Sequence, residues 1–173
     1  AELLISFNKA AASAKRISDV LAEEPEITDG EKSLTVQEQA PVLAFDHVTF
    51  AYPDGGEAAI HDISFSLRAG ETLGIIGGTG SGKSTIANLI PRFYDTTEGT
   101  VRIYGEDVRS YTLDSLRQVI GVVPQKASLV SGTIAENLRW GDASADDAEL
   151  EHACKIAQAW EFVSQTSRGL ETK

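Results

Sequence analysis

Gly77-Gly78-Thr79-Gly80-Ser81-Gly82-Lys83-Ser84 is the part of this sequence with an unmistakable chemistry. It fits G-x-x-x-x-G-K-[ST], a spacing in which glycines let successive backbone N–H groups turn inward to form a concave anion site. A helix opening at Lys83 would add about half a positive charge at its N-terminus. The Lys83 ammonium then reaches the β and γ phosphates of a nucleotide, the Ser84 hydroxyl joins a Mg²⁺ shell, and Thr85 adds a further phosphate contact. A mere glycine-rich turn is the bland alternative. Charge makes the local device necessary: 15 Lys and Arg stand against 26 Asp and Glu, a formal net charge of −11. Such a chain does not attract polyanions as a whole, so no nucleic-acid partner is expected.

The loop works only between a buried strand and a helix, and the pattern supplies both. Thr72-Leu73-Gly74-Ile75-Ile76 is short, apolar and bounded by glycines, which predicts a strand buried on both faces. Lys83 to Ile90 has helical spacing and is closed by Pro91. Upstream, Leu43, Phe45 and His47 alternate on one face, then Val48, Phe50 and Tyr52 on the other after a local slip. The turn chemistry of Tyr52-Pro53-Asp54-Gly55-Gly56 leads to a second strand through Ile60, Ile63, Phe65 and Leu67, completing a hairpin. Downstream, the pattern predicts a strand at Gly99 to Tyr104, a helical turn at Leu113 to Arg117 and another buried strand at Val119 to Val123. A last helix is predicted over Asp146 to Trp160, with Asp146 as its cap and Leu150, Ala153, Cys154 and Ala157 facing inward. Before all of these, residues 1–22 show the three-and-four spacing of an amphipathic helix, and residues 23–41 read as a linker with Pro25, Asp29, Gly30 and Pro41 among charges. The fold class is α/β.

A phosphate loop alone is compatible with kinases, GTPases, motors and transporters. Further stretches narrow the choice: Phe45-Asp46-His47-Val48-Thr49-Phe50-Ala51-Tyr52-Pro53, Leu67-Arg68-Ala69-Gly70-Glu71-Thr72-Leu73-Gly74-Ile75-Ile76-Gly77, Gly121-Val122-Val123-Pro124-Gln125 and Ser131-Gly132-Thr133-Ile134-Ala135-Glu136-Asn137-Leu138. With these the chain resembles the nucleotide-binding domain of the ATP-binding cassette (ABC) family, in its exporter branch. The resemblance implies a phosphate-loop NTPase core carrying an antiparallel β subdomain, in residues 42–173. It implies ATP and Mg²⁺ as ligands, with Gly77, Gly78, Thr79, Gly80, Ser81, Gly82, Lys83, Ser84 and Thr85 on the phosphates. Tyr52, 25 residues before Gly77, becomes an aromatic stacked on adenine, with a core aromatic as the alternative. Gln125 becomes the glutamine that ligates Mg²⁺ with Ser84 and touches the attacking water, with an ordinary loop residue as the alternative. Lys83 and Gln125 are thus the expected catalytic contributors.

The same likeness implies a second half transporter as partner, homodimeric or heterodimeric, and membrane helices in the same polypeptide, of which residues 1–22 resemble the cytosolic end. The intact protein would sit at the cytoplasmic face of a membrane and couple ATP hydrolysis to export. A phosphate-loop module that binds without turnover is the competing reading. Nothing in the chain resembles Leu-Ser-Gly-Gly-Gln, no apolar strand ends in Asp-Glu, and residue 1 is not methionine. The expectation is therefore an incomplete domain that stops short of its signature segment. Composition agrees with a globular, reducing-compartment protein: 42% of residues are hydrophobic, and the single cysteine, Cys154, has no internal partner for a disulfide. His47, His61 and His152 lack metal-ligand spacing.

Overall fold

The computed structural model describes residues 2–53, 55–126 and 128–173. They form two compact units, one ending at Gly121 and the other running from Val122 to Lys173. The first unit begins with α1 (Glu2–Leu21). No helix among the described residues is long and apolar enough to cross a membrane.

The centre of the first unit is an antiparallel sheet of β1 (Leu43–Phe50), β2 (Ile60–Leu67), β3 (Glu98–Ile103) and β4 (Glu106–Asp107), in the order β2-β1-β3-β4. Alternation places Leu43 and Phe45 inward, and the slip read in the sequence is a β-bulge that brings Val48 and Phe50 to the same buried side. His47 sits at the bulge with φ of 48°. Its backbone N–H donates to the Ser64 hydroxyl at 2.9 Å, and its ring Nδ1 lies 2.6 Å from a carboxylate oxygen of Asp62. The Asp62 side chain raises the His47 pKa, first by that hydrogen bond and then by its charge. Phe45 stacks on Phe65 with ring centroids 4.6 Å apart, and the core continues through Val101, Ile103, Val108, Tyr111 and Leu116. The buried Tyr111 hydroxyl donates to the Ile103 carbonyl at 2.9 Å, which pairs this phenol inside the core.

Between β2 and β3 runs α2 (Lys83–Leu89), which buries Thr85, Ile86 and Leu89. Its exit is tied down. The Arg92 guanidinium, almost fully buried, forms a two-point bond with Asp95 at 2.7 and 3.0 Å, and Arg117 donates to the Pro91 and Arg92 carbonyls. Arg117 belongs to α3 (Leu113–Gln118), whose cap is the Thr112 hydroxyl.

The stretch read as a linker is fastened to this unit over part of its length. The Gly30 and Lys32 N–H groups donate to the Tyr111 and Ser110 carbonyls, and the Lys32 carbonyl accepts from Thr112 at 2.8 Å. Asp29 accepts from the Leu113 N–H, the Leu34 N–H donates to the Ser115 hydroxyl, and Lys32 pairs with Glu106 at 3.0 Å. A charged, aperiodic composition gives no sign of such pairing, because the three bonds at its centre, at Gly30, Lys32 and Thr112, are made by backbone groups that every residue carries.

Two expected strands are corrected. Thr72 to Ile76 and Val119 to Val123 take no strand pairing, and Ile76 and Val123 are 99% and 97% exposed. A strand apolar on both faces is stable only between neighbouring strands, and among the described residues no strand pairs with either stretch.

The second unit holds α4 (Ile134–Leu138), α5 (Asp147–Ile156) and α6 (Trp160–Ser164). Both α4 and α5 start with reciprocal capping boxes, Thr133 with Glu136 and Asp146 with Glu149. The cap expected at Asp146 is present, but the helix ends at Ile156, since Gln158 takes a φ of 58° and the chain restarts at Trp160. Leu150 and Cys154 are buried as expected, whereas Ala153 and Ala157 are exposed. A ten-residue helix covered along one line has a narrower apolar stripe than the spacing of all four residues suggested.

Candidate functional site

The phosphate loop enters α2 through Gly82, which has a φ of 83° and caps the helix without a side chain. A Cβ there would stand 2.4 Å from the Ile60 side chain and 2.6 Å from the Ala59 carbonyl. Only glycine fits, and the reason is the start of β2, which lies against the loop. At the other end, a Cβ on Gly77 would meet the Ser81 hydroxyl at 2.5 Å, so the loop closes over its own Ser81. The Lys83 ammonium donates to the Gly77 carbonyl at 2.9 Å and to the Gly78 carbonyl, and stands 3.4 Å from the Ser81 hydroxyl. The loop is thus wound around its own lysine.

A cleft of about 230 Å³ is lined by Tyr52, Ala59 and Gly80 through Thr85. It brings together Tyr52 and Gly80 to Thr85, which the family resemblance had grouped. Tyr52 is half-buried: its ring stands edge-on to Phe50 and Tyr94, with centroids 4.8 and 5.2 Å away, and its hydroxyl is 3.2 Å from that of Thr85. The core packing offered as the alternative for Tyr52 and its place in the cleft are therefore both present in one side chain. Gly77, Gly78 and Thr79 form the loop's entry outside this lining. The Ser84 hydroxyl is exposed and has no side-chain hydrogen bond among the described residues, as suits an oxygen ligand of a hard cation. A triphosphate suits the same place, because one lysine and a glycine-lined turn concentrate donors in a chain of net charge −11.

Gln125 belongs to the second unit, where it is exposed and outside any helix or strand. Sequence reasoning missed Ala59 as a wall of the cleft. No local signal marks it; only the pairing of β2 with β1 brings it there.

A glycine-rich loop that opens a helix, with a lysine wound into the turn and an aromatic ring beside it, defines a phosphate-loop nucleotide-binding site. The family model "ABC transporter" matches residues 60–171. The chain belongs to the ABC transporter family, and its fold is that of the family's nucleotide-binding domain. It is 42% identical over 172 residues to a multidrug efflux ATP-binding/permease protein of Mycobacterium bovis, covering 99% of this chain and 14% of that protein. It is 38% identical over 167 residues to an ATP-dependent lipid A-core flippase of Sodalis glossinidius, covering 96% of this chain and 28% of the relative. Among solved structures, a bacterial Atm1-family ABC exporter with ATP bound superposes with a TM-score of 0.84 at 33% identity, over 95% of this chain and 29% of that one. The chain spans less than a third of the length of each of these proteins.

Proposed function

We propose that this chain is the ATP-binding part of an ABC exporter, in which ATP binding and hydrolysis drive attached membrane helices between inward-open and outward-open states. The observation that supports it best is the single cleft shared by Tyr52 and Gly80 to Thr85, in a chain alike over 95% of its length to an exporter with ATP bound. In this reading the amides of Gly77 to Gly82 and the Lys83 ammonium hold the phosphates, and the Tyr52 ring carries the adenine. Ser84 and Gln125 supply oxygen ligands for Mg²⁺, which offsets phosphate charge when bound. Gln125 also orients the attacking water through its amide. A second cassette and the membrane helices complete the machine at the cytoplasmic face of the membrane, with α1 as the lead-in from that side.

Titration of the chain with a fluorescent ATP analogue and Mg²⁺ tests the reading. Saturable binding that Lys83→Ala weakens by at least about tenfold is expected, because a charge-assisted hydrogen bond contributes about 1.5–3 kcal/mol. Equal affinity in the variant would make the loop a structural turn only. Hydrolysis is a separate matter. The 173 residues contain the loop serine and Gln125 but no strand ending in Asp-Glu and no Leu-Ser-Gly-Gly-Gln segment. A phosphoryl transition state needs those further ligands and donors, so this chain alone is expected to release no phosphate above the Lys83→Ala control.

A further inference from the structure

Thr85 has a place in the cleft that its position in the motif does not explain. It is 4% exposed, in the first turn of α2, where a threonine hydroxyl ordinarily returns to a carbonyl one turn back. Among the described residues its side-chain partner is instead the Tyr52 phenol, 33 residues earlier in the chain and 3.2 Å away. The Tyr52 ring already has two perpendicular aromatic neighbours, Phe50 and Tyr94, at interplanar angles of 82° and 86°. Those contacts hold the ring laterally. The bond to Thr85 fixes the remaining freedom, how far the ring leans toward the phosphate loop.

We propose that Thr85 is a positioning residue for Tyr52: its hydroxyl accepts the phenol proton, sets the ring as a platform for the base, and keeps its own proton for the phosphate side. The phenol is the more acidic of the two groups and hence the better donor, and a hydroxyl that accepts one bond donates the next more strongly. Base recognition and phosphate recognition are then joined by one hydrogen bond. The proposal rests on the reading of Tyr52 as the adenine platform. It adds that the platform works only while Thr85 holds it.

The test compares MgATP with Mg-tripolyphosphate by calorimetry on the 173-residue chain, taking the ratio of the two dissociation constants as the contribution of the base. Tyr52→Phe keeps the ring and removes the bond; Thr85→Val keeps the shape and removes the hydroxyl. Each is expected to shrink the ratio by about three- to tenfold, and the double variant no further, as for two residues sharing one interaction. Thr85→Ser should restore it. A ratio preserved in Tyr52→Phe, or in Thr85→Val while both ligands weaken together, overturns the proposal and leaves Thr85 a phosphate contact. Losses that multiply in the double variant overturn it as well. Failure of the underlying reading looks different: Tyr52→Ala would then leave the ratio at the wild-type value, whereas failure of the proposal alone leaves Tyr52→Ala strongly impaired.

Discussion

The antiparallel sheet and the two apolar stretches Thr72–Ile76 and Val119–Val123 are built from similar residues and reach opposite ends. In the sheet, Phe45 and Val48 are almost wholly buried; in the stretches, Ile76 and Val123 are almost wholly exposed. β1 and β2, and β3 and β4, are each joined by a short connection, and one face is covered by α2 and α3, so each hairpin is complete within its own stretch of chain before β1 and β3 pair across the intervening loop and helix. A run apolar on both faces has no such local partner and depends on strands brought from elsewhere. Hydrophobicity therefore marks a segment that prefers burial without supplying what buries it.

The comparison is broken most forcibly at Phe45. Replacing it with alanine removes a ring stacked in the core and is expected to cost about 3–5 kcal/mol, read as the urea midpoint. Next in size is Gly82→Ala, which places a methyl group where β2 meets the loop at a positive φ; a loss of about 1–3 kcal/mol is expected, with a loss of ATP binding. If Gly82→Ala left both intact, the loop would owe nothing to the sheet. Asp146→Ala removes the N-cap of α5 and should lower stability by about 1 kcal/mol, visible in thermal melting followed at 222 nm, with Asp146→Asn closer to wild type.

A smaller effect lies at the bulge. Because the folded His47 pKa is raised by Asp62, the pair stabilises the fold below the unfolded value of about 6.5 and that contribution fades as pH rises through the raised value. The melting midpoint should decline across that window, and Asp62→Asn should remove that part of the decline. The least effect is expected at Val123→Asp, whose side chain has almost no contacts to lose. Its unfolding free energy in urea should remain within about 0.5 kcal/mol of wild type, as for an ordinary surface change. A larger loss would mean that Val123 is buried in solution.

Much of this was written in the sequence at short range. The hairpin, the slip at His47, α2 after the phosphate loop, and the cap at Asp146 each depend on residues within a few positions of one another. Tyr52 as a cleft residue was legible only through its family likeness, since a tyrosine beside a turn has no intrinsic address. What stayed hidden is made by tertiary approach: Ala59 against Gly82, the phenol of Tyr52 on Thr85, and the backbone pairing of Gly30 and Lys32. The end of α5 was also hidden, because one positive φ at Gln158 leaves no periodic trace.

The fastening of Gly30 and Lys32 to Ser110–Thr112 changes how force would travel through this chain. A tug on the C-terminal end of α1 does not slacken through nineteen loose residues; it is taken up within about ten, at a parallel backbone bridge between Lys32 and Tyr111. The three backbone bonds around that bridge would have to break before the chain beyond it could move. The load then passes to Tyr111, whose hydroxyl is bonded to the last residue of β3. Any movement imposed from the N-terminal side is thus delivered to the heart of the sheet as a stiff pull, like a rope cleated close to the hull.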